Sequence, residues 1–213
     1  MNERLLSDAI AWTRQNMAIS AGHDWGHIER VLHNATELAQ AEGADILVAQ
    51  LAAVMHDVVN LEKDHPERKK ASVMSAERAS QWLQGKLQQP RIDGVYEAIK
   101  CHSYSAGFTP QGLEAKVVSD ADNLDALGAI GIARTFECGG AMGTATMSAQ
   151  DPFCTHRQPD DGRYTVDHFF AKLLRLEERF YTDSGRQAAK QRLDYMRAFL
   201  AQLDAEIPSD APP

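Results

Sequence analysis

Several things are scarce in this 213-residue sequence, and each scarcity closes off a class of function. Cysteine occurs three times, as Cys101, Cys138 and Cys154. An odd number without CxxC or comparable spacing argues against a disulfide framework or a thiolate-rich zinc site, and reduced thiols are expected. Cationic charge is in deficit: Lys+Arg 22 against Asp+Glu 30 gives a net charge of −8. No broad basic face is available for a nucleic-acid backbone, so no polymeric nucleic acid is expected as partner. Aromatic side chains are sparse, and Trp12, Trp25 and Trp82 are dispersed rather than set out as a stacking platform for bases. Apolar runs never reach the ~18–20 residues a membrane helix requires, so no membrane partner is expected. The first residues, MNERLLSDAIAWTRQNM, carry Glu3, Arg4, Asp8 and Arg14 in place of a signal peptide's apolar core, which points to a cytoplasmic protein. Internal repeats and low-complexity tracts are absent as well.

What is present is the composition of an ordinary folded chain, 44% hydrophobic and 24% charged, well away from the range in which chains stay disordered. The periodicity is helical throughout, and no segment reads well as a strand. Leu5, Leu6, Ala9, Ile10 and Trp12 mark a first amphipathic helix, and Ile28, Val31, Leu32, Ala35, Leu38 and Ala39 a second. From Ala44 to Val59 the apolar positions are too many for a stripe, which predicts a central helix buried on most sides. Further helices are expected over Ala71–Leu87 and Ile92–Cys101, the latter with Pro90 near its start. The Ala-rich run from Leu113 is expected to end at Gly139-Gly140, with Gly128 and Gly131 as weak points inside it. Residues 137–164 read as a long loop or lid. Helices over Val166–Tyr181 and Gly185–Leu203 follow, and then a flexible tail, 207–213. The chain is expected to form one all-α domain over residues 1–206.

Four segments carry candidate chemistry. His56-Asp57 closes the most buried helix, where an unpaired carboxylate is costly and a metal ion would resolve the cost. A surface Asp beside a helix-terminal His stabilised by the helix dipole is the alternative, and the dipeptide alone does not choose. Upstream, His23 and His27 stand four apart in HDWGHIERV, with Asp24 as a natural N-cap. Downstream, SDADNLDALGA offers Asp120, Asp122 and Asp125; Asp122 and Asp125 share a helix face and Asp120 does not. The run KDHPERKK places Lys63, Arg68, Lys69 and Lys70 just beyond the His-Asp pair. Of these, Lys63 is best placed to meet an anion, while Arg68–Lys70 read as a solvated helix start. His168 and Lys172 are four apart, but in a helix whose phenylalanines and leucines belong to a core. His33, His65 and His156 read as surface or loop residues.

The order His27, His56-Asp57, Asp122 resembles the HD-domain superfamily of metal-dependent phosphohydrolases. The surrounding segments HDWGHIERV, AAVMHDVVNLEKDHPERKKASVMSAERA, IKCHS and SDADNLDALGAIGIARTF, together with the DHFFAKLLRLEERFYTDSGRQ run, look like the small stand-alone bacterial members, in matching order from about residue 20 to 200. The resemblance implies a single-domain HD-type helical bundle in which His27, His56, Asp57 and Asp122 ligate a metal. It also places Lys63 and His102 near the centre, Lys63 for catalysis and phosphate binding and His102 as a phosphate contact or further ligand. Two imidazoles and two carboxylates suit one divalent ion, Mn, Mg, Fe, Co or Ni, with a second left open through His23 or His102. The implied activity is hydrolysis of a phosphoester or phosphoanhydride bond in a small phosphorylated metabolite by a metal-activated water, with Asp57 at the catalytic centre. The resemblance favours a nucleotide as substrate, cleaved in the manner of a pyrophosphohydrolase or a nucleotidase. A ligand-sensing or interaction module on the same fold, turning over little, is the competing class, and retention of all four ligand types argues against it.

Overall fold

A computed structural model describes residues 2–17, 24–61, 65–103 and 106–207. Among these, nine α-helices are found: α1 (Asn2–Asn16), α2 (Trp25–Glu42), α3 (Ile46–Met55), α4 (Ala71–Leu83), α5 (Gln89–His102), α6 (Leu113–Asp125), α7 (Gly128–Met142), α8 (Asp167–Ala171) and α9 (Asp183–Glu206). Short 3-10 turns cover Arg68–Lys70 and Leu173–Arg179. No strand occurs among the described residues; the nearest approach is a single parallel bridge between Ala145 and Tyr164. The fold is all-α, as the apolar spacing predicts. None of these helices is long and apolar enough to cross a membrane.

The chain divides into two compact units, one built from residues 1–123 and 180–185, the other from 124–179 and 186–213. In the first, α3 is the central element and packs against α1, α2 and α5. Leu47, Val48, Ala49 and every residue from Leu51 to Met55 are buried, which is why this helix shows apolar residues all round rather than a stripe. Its N-cap is Asp45, whose Oδ1 accepts from the N–H groups of Leu47 (3.1 Å) and Val48 (3.3 Å). The α2 helix starts at Asp24, whose Oδ1 accepts from the His27 N–H at 2.8 Å, the capping role expected from sequence.

The second unit has its own apolar centre, in which Phe169 stacks on Phe199 with ring centroids 6.0 Å apart and Phe136 lies 6.3 Å from Phe169. Its loop between α7 and α8 is densely bonded. Asp151 accepts from the N–H groups of Thr155 and His156, and the buried Asp167 receives Arg157 through Nη1 (2.5 Å) and Nη2 (2.7 Å) and the Asp160 N–H (2.6 Å). Within it Cys154 adopts a positive φ of 55°. Burial and the neighbouring Asp167 push its thiol up to about 11, so it is a protonated donor at neutral pH. All three cysteines are free.

Several boundaries depart from the sequence expectation. The Ala-rich run from Leu113 is two helices, because Gly128 adopts φ +70° and turns the chain between α6 and α7. The glycine pair at 139–140 does not stop α7. Gly139 lies inside the helix where Thr165 packs against it, and the left-handed cap is Gly143, φ 69°. The segment expected as loop from 137 therefore begins six residues later. The helix expected over Val166–Tyr181 is instead the five-residue α8 followed by a 3-10 turn. α3 stops at Met55 and α4 at Leu83, each four residues before its expected end.

Candidate metal centre

Four elements of the first unit bring five side chains together. His27 lies in the first turn of α2, His56 and Asp57 directly follow α3, His102 is the last residue of α5, and Asp122 lies in the last turn of α6. His27 Nε2 and His56 Nε2 face each other at 3.2 Å. Asp57 Oδ2 is 3.3 Å from His56 Nε2 and 3.8 Å from His27 Nε2, and Asp122 Oδ1 is 3.5 Å from His27 Nε2 and 3.9 Å from His56 Nε2. His102 Nε2 approaches the other carboxylate oxygen, Asp57 Oδ1, at 3.6 Å. The imidazoles form the floor and are buried, while Asp57 and Asp122 open toward solvent with 12% and 26% of their side chains exposed.

The hydrogen bonds dictate which ring nitrogens are presented. His56 Nδ1 lies 2.8 Å from the Ala53 carbonyl and His102 Nδ1 lies 2.6 Å from the Ile99 carbonyl. A carbonyl only accepts, so each Nδ1 carries the proton and each neutral ring turns a bare Nε2 lone pair inward. Lone pairs and carboxylate oxygens then point at one another, an arrangement that requires positive charge in their midst. In the protein without metal, that charge is a proton. Burial opposes protonation of His56, but the charge of Asp57 with its hydrogen bond, and then Asp122, outweigh it and raise the group to about 9.

The same donors fit a divalent cation. His27, His56 and Asp57 each offer a ligand atom within 4.8 Å of the others and could hold a metal ion. Metal–ligand bonds of about 2.0–2.2 Å place neighbouring donors roughly 3 Å apart, close to the separations found here. The backbone carbonyls of Ala53 and Ile99 supply outer hydrogen bonds of the kind that orient histidines at metal sites. Mixed imidazole and carboxylate donors suit Mn, Fe, Co or Ni; no thiolate is among them.

Other sequence candidates go elsewhere. Asp125 shares a helix face with Asp122 by spacing, yet it is buried in a pair with Arg134, whose Nη1 donates to Oδ2 at 2.5 Å. Asp120 is fully buried and accepts from the Tyr181 and Thr182 backbone. His168 pairs with Asp161 at 2.8 Å in the second unit. Lys63 and His23 lie outside the described residues. The placement of His102 beside Asp57 was not derivable from spacing alone. A local signal exists nonetheless: His56 and His102 both stand at the C-terminal end of a helix and both bond the carbonyl three residues back.

The sequence profile of the HD domain family matches residues 24–127, a span that contains all five of these side chains. YpgQ of Bacillus subtilis (strain 168) is 34% identical over 193 residues, covering 89% of this chain and 86% of that protein. Among solved structures, B. subtilis YpgQ in complex with ADP is similar with a TM-score of 0.75 and 31% identity, over 98% of each chain. An HD-superfamily hydrolase from Bacillus thuringiensis gives a TM-score of 0.75 at 31% identity, covering 97% of this chain and 98% of that one.

Proposed function

The chain belongs to the HD domain family, and from that premise we propose that it is a divalent-metal-dependent phosphohydrolase acting on a nucleotide. One observation carries the reading: the Nε2 atoms of His27 and His56 lie 3.2 Å apart, and Asp57 and Asp122 each approach both of them, at 3.3–3.9 Å, with the inward-facing nitrogen of His56 selected by the Ala53 carbonyl. In this reading His27, His56, Asp57 and Asp122 hold one ion. What a divalent cation held there would supply is a lowered pKa for water and neutralisation of phosphoryl oxygens, chemistry the side chains themselves lack. The residues of the chain bind and orient. Asp57 bridges the His27–His56 side and the His102 side through its two oxygens. We assign His102 to a further ligand position through its inward Nε2, or, with a proton on that nitrogen, to a phosphate oxygen, and Lys63 to the substrate phosphates on its sequence position alone. The nucleotide preference draws support from the ADP complex of the similar YpgQ.

The test is release of phosphate and pyrophosphate from nucleoside mono-, di- and triphosphates by metal-stripped protein resupplied with Mn²⁺, Mg²⁺, Co²⁺ or Ni²⁺. Turnover is expected to depend on added metal. Asp57→Ala is expected to lose both bound metal and hydrolysis while keeping its helical circular dichroism; wild-type turnover by that variant would refute the assignment. Pyrophosphate from triphosphates identifies a pyrophosphohydrolase, and phosphate from monophosphates a nucleotidase.

A further inference from the structure

We infer that Asp120 is a positioning residue: its grip on Thr182 fixes the rotation of α6 about its own axis and thereby aims Asp122 at the histidines. The inference rests on the reading of Asp122 as a metal ligand. Asp120 is fully buried, and its Oδ1 accepts from the Tyr181 N–H at 2.9 Å, while Oδ2 accepts from the Thr182 N–H at 2.8 Å and the Thr182 hydroxyl at 2.6 Å. The same hydroxyl accepts from the Gly185 N–H at 3.0 Å. Gly185 is required for this approach, since a Cβ there would stand 2.7 Å from Thr182 Oγ1 and collide with Asp120 Oδ2. Residues two apart on a helix point roughly 200° apart. A carboxylate locked on one flank therefore leaves Asp122 facing the opposite one.

Two further bonds close the circuit onto the helix that carries His27. Asn34 of α2 donates to the Ala121 carbonyl at 3.2 Å, and Glu42, the last residue of α2, accepts from the Ser184 N–H at 2.7 Å. α2, the 180–185 segment and α6 are thus tied pairwise, and the separation of His27 from Asp122 is set by that triangle. Outer interactions that orient metal ligands commonly govern affinity by 10–100-fold.

Calorimetric titration of the metal-stripped full chain with Mn²⁺, well below each variant's Tm, tests this. Thr182→Val removes the hydroxyl at nearly constant volume and is expected to weaken Mn²⁺ binding by about tenfold or more. Thr182→Ser, which retains the hydroxyl, is expected to restore wild-type affinity. Leu83→Ala, a fully buried position on α4 remote from this circuit in sequence, lowers Tm and serves as the control for stability alone. Its Mn²⁺ affinity is expected to be that of wild type. Glu42→Gln weakens the Ser184 link without touching α6 and is expected to shift affinity in the same direction by less, which keeps the inference testable should Thr182→Val fold poorly. Wild-type affinity in both Thr182→Val and Glu42→Gln overturns the positioning role, as does an equal loss in Leu83→Ala. Absence of Mn²⁺ binding by the wild-type chain instead overturns the metal-site reading itself, and the positioning role with it.

Discussion

Burial by itself would strip His56 of its proton, yet Asp57 and Asp122 hold the group near 9. The folded value lies above the ordinary value of about 6.5, so the protonated imidazole stabilises the metal-free fold fully below pH 6.5. That contribution is lost as pH rises through about 9. A cation must displace the proton, so Mn²⁺ affinity is expected to climb over the same window and level off above it, with proton release visible as a buffer-dependent binding enthalpy. A flat affinity across the window would show that the cation displaces no proton from His56 there. Asp120 and Asp122 separate two kinds of carboxylate. From helical geometry alone, Asp120→Asn is expected to be tolerated and Asp122→Asn is not. The structure gives Asp120 a cost of its own, because an amide cannot accept all of the donors from Tyr181 and Thr182. Asp120→Asn is therefore expected to lose about 1–3 kcal/mol in urea unfolding and, through the position of Asp122, to weaken Mn²⁺ binding in the same direction as Thr182→Val. Asp122→Asn is expected to lose the metal.

Helix ends, rather than helix interiors, decide this site. His27 is placed by the Asp24 cap, and His56 and His102 by the last turns of α3 and α5, where a side chain reaches back to the carbonyl three residues earlier. These interiors were legible because Ile28–Ala39 declare a helical period in the apolar pattern and Leu51–Met55 are apolar all round. The breaks were less so. Gly128 turns the chain because only glycine takes φ +70° cheaply, whereas Gly139 is retained for the space Thr165 occupies. The two look alike in sequence. Gly128→Ala must adopt the left-handed conformation with its Cβ 3.2 Å from Arg192 Cγ, and a loss of about 1–2 kcal/mol is expected from the urea midpoint. A neutral result would place the break between α6 and α7 elsewhere.

Two compact units make up the molecule, and all five side chains of the candidate centre belong to the first. The second keeps a long loop ordered by charge: Asp167 has no exposed side-chain surface and is balanced by the Arg157 fork. Removing the guanidinium would leave that carboxylate buried without its partner. Arg157→Ala is expected to lower Tm and to open residues 143–166 to limited proteolysis, read by mass spectrometry of the first cleavage products. Unchanged resistance would mean that the Asp151 and Ser148 turns hold the loop without it.

Amino-acid order is enough to make the chain helical, to mark α3 as its most buried helix, and to set His27, His56, Asp57 and Asp122 in an order resembling a metal-dependent phosphohydrolase. Apolar periodicity and local motifs are properties of neighbours along the chain, and they survive without any coordinates. Packing between helices decided how closely Asp122 and His102 approach the other side chains, that Asp120 is spent on Thr182, and that Asp125 is spent on Arg134. Those outcomes depend on the rotation of one helix against others far away in sequence. A side chain's direction is fixed by where its helix is held, and the residues that hold α6, Asn34 and Thr182, carry no mark of that role in their own sequence neighbourhoods.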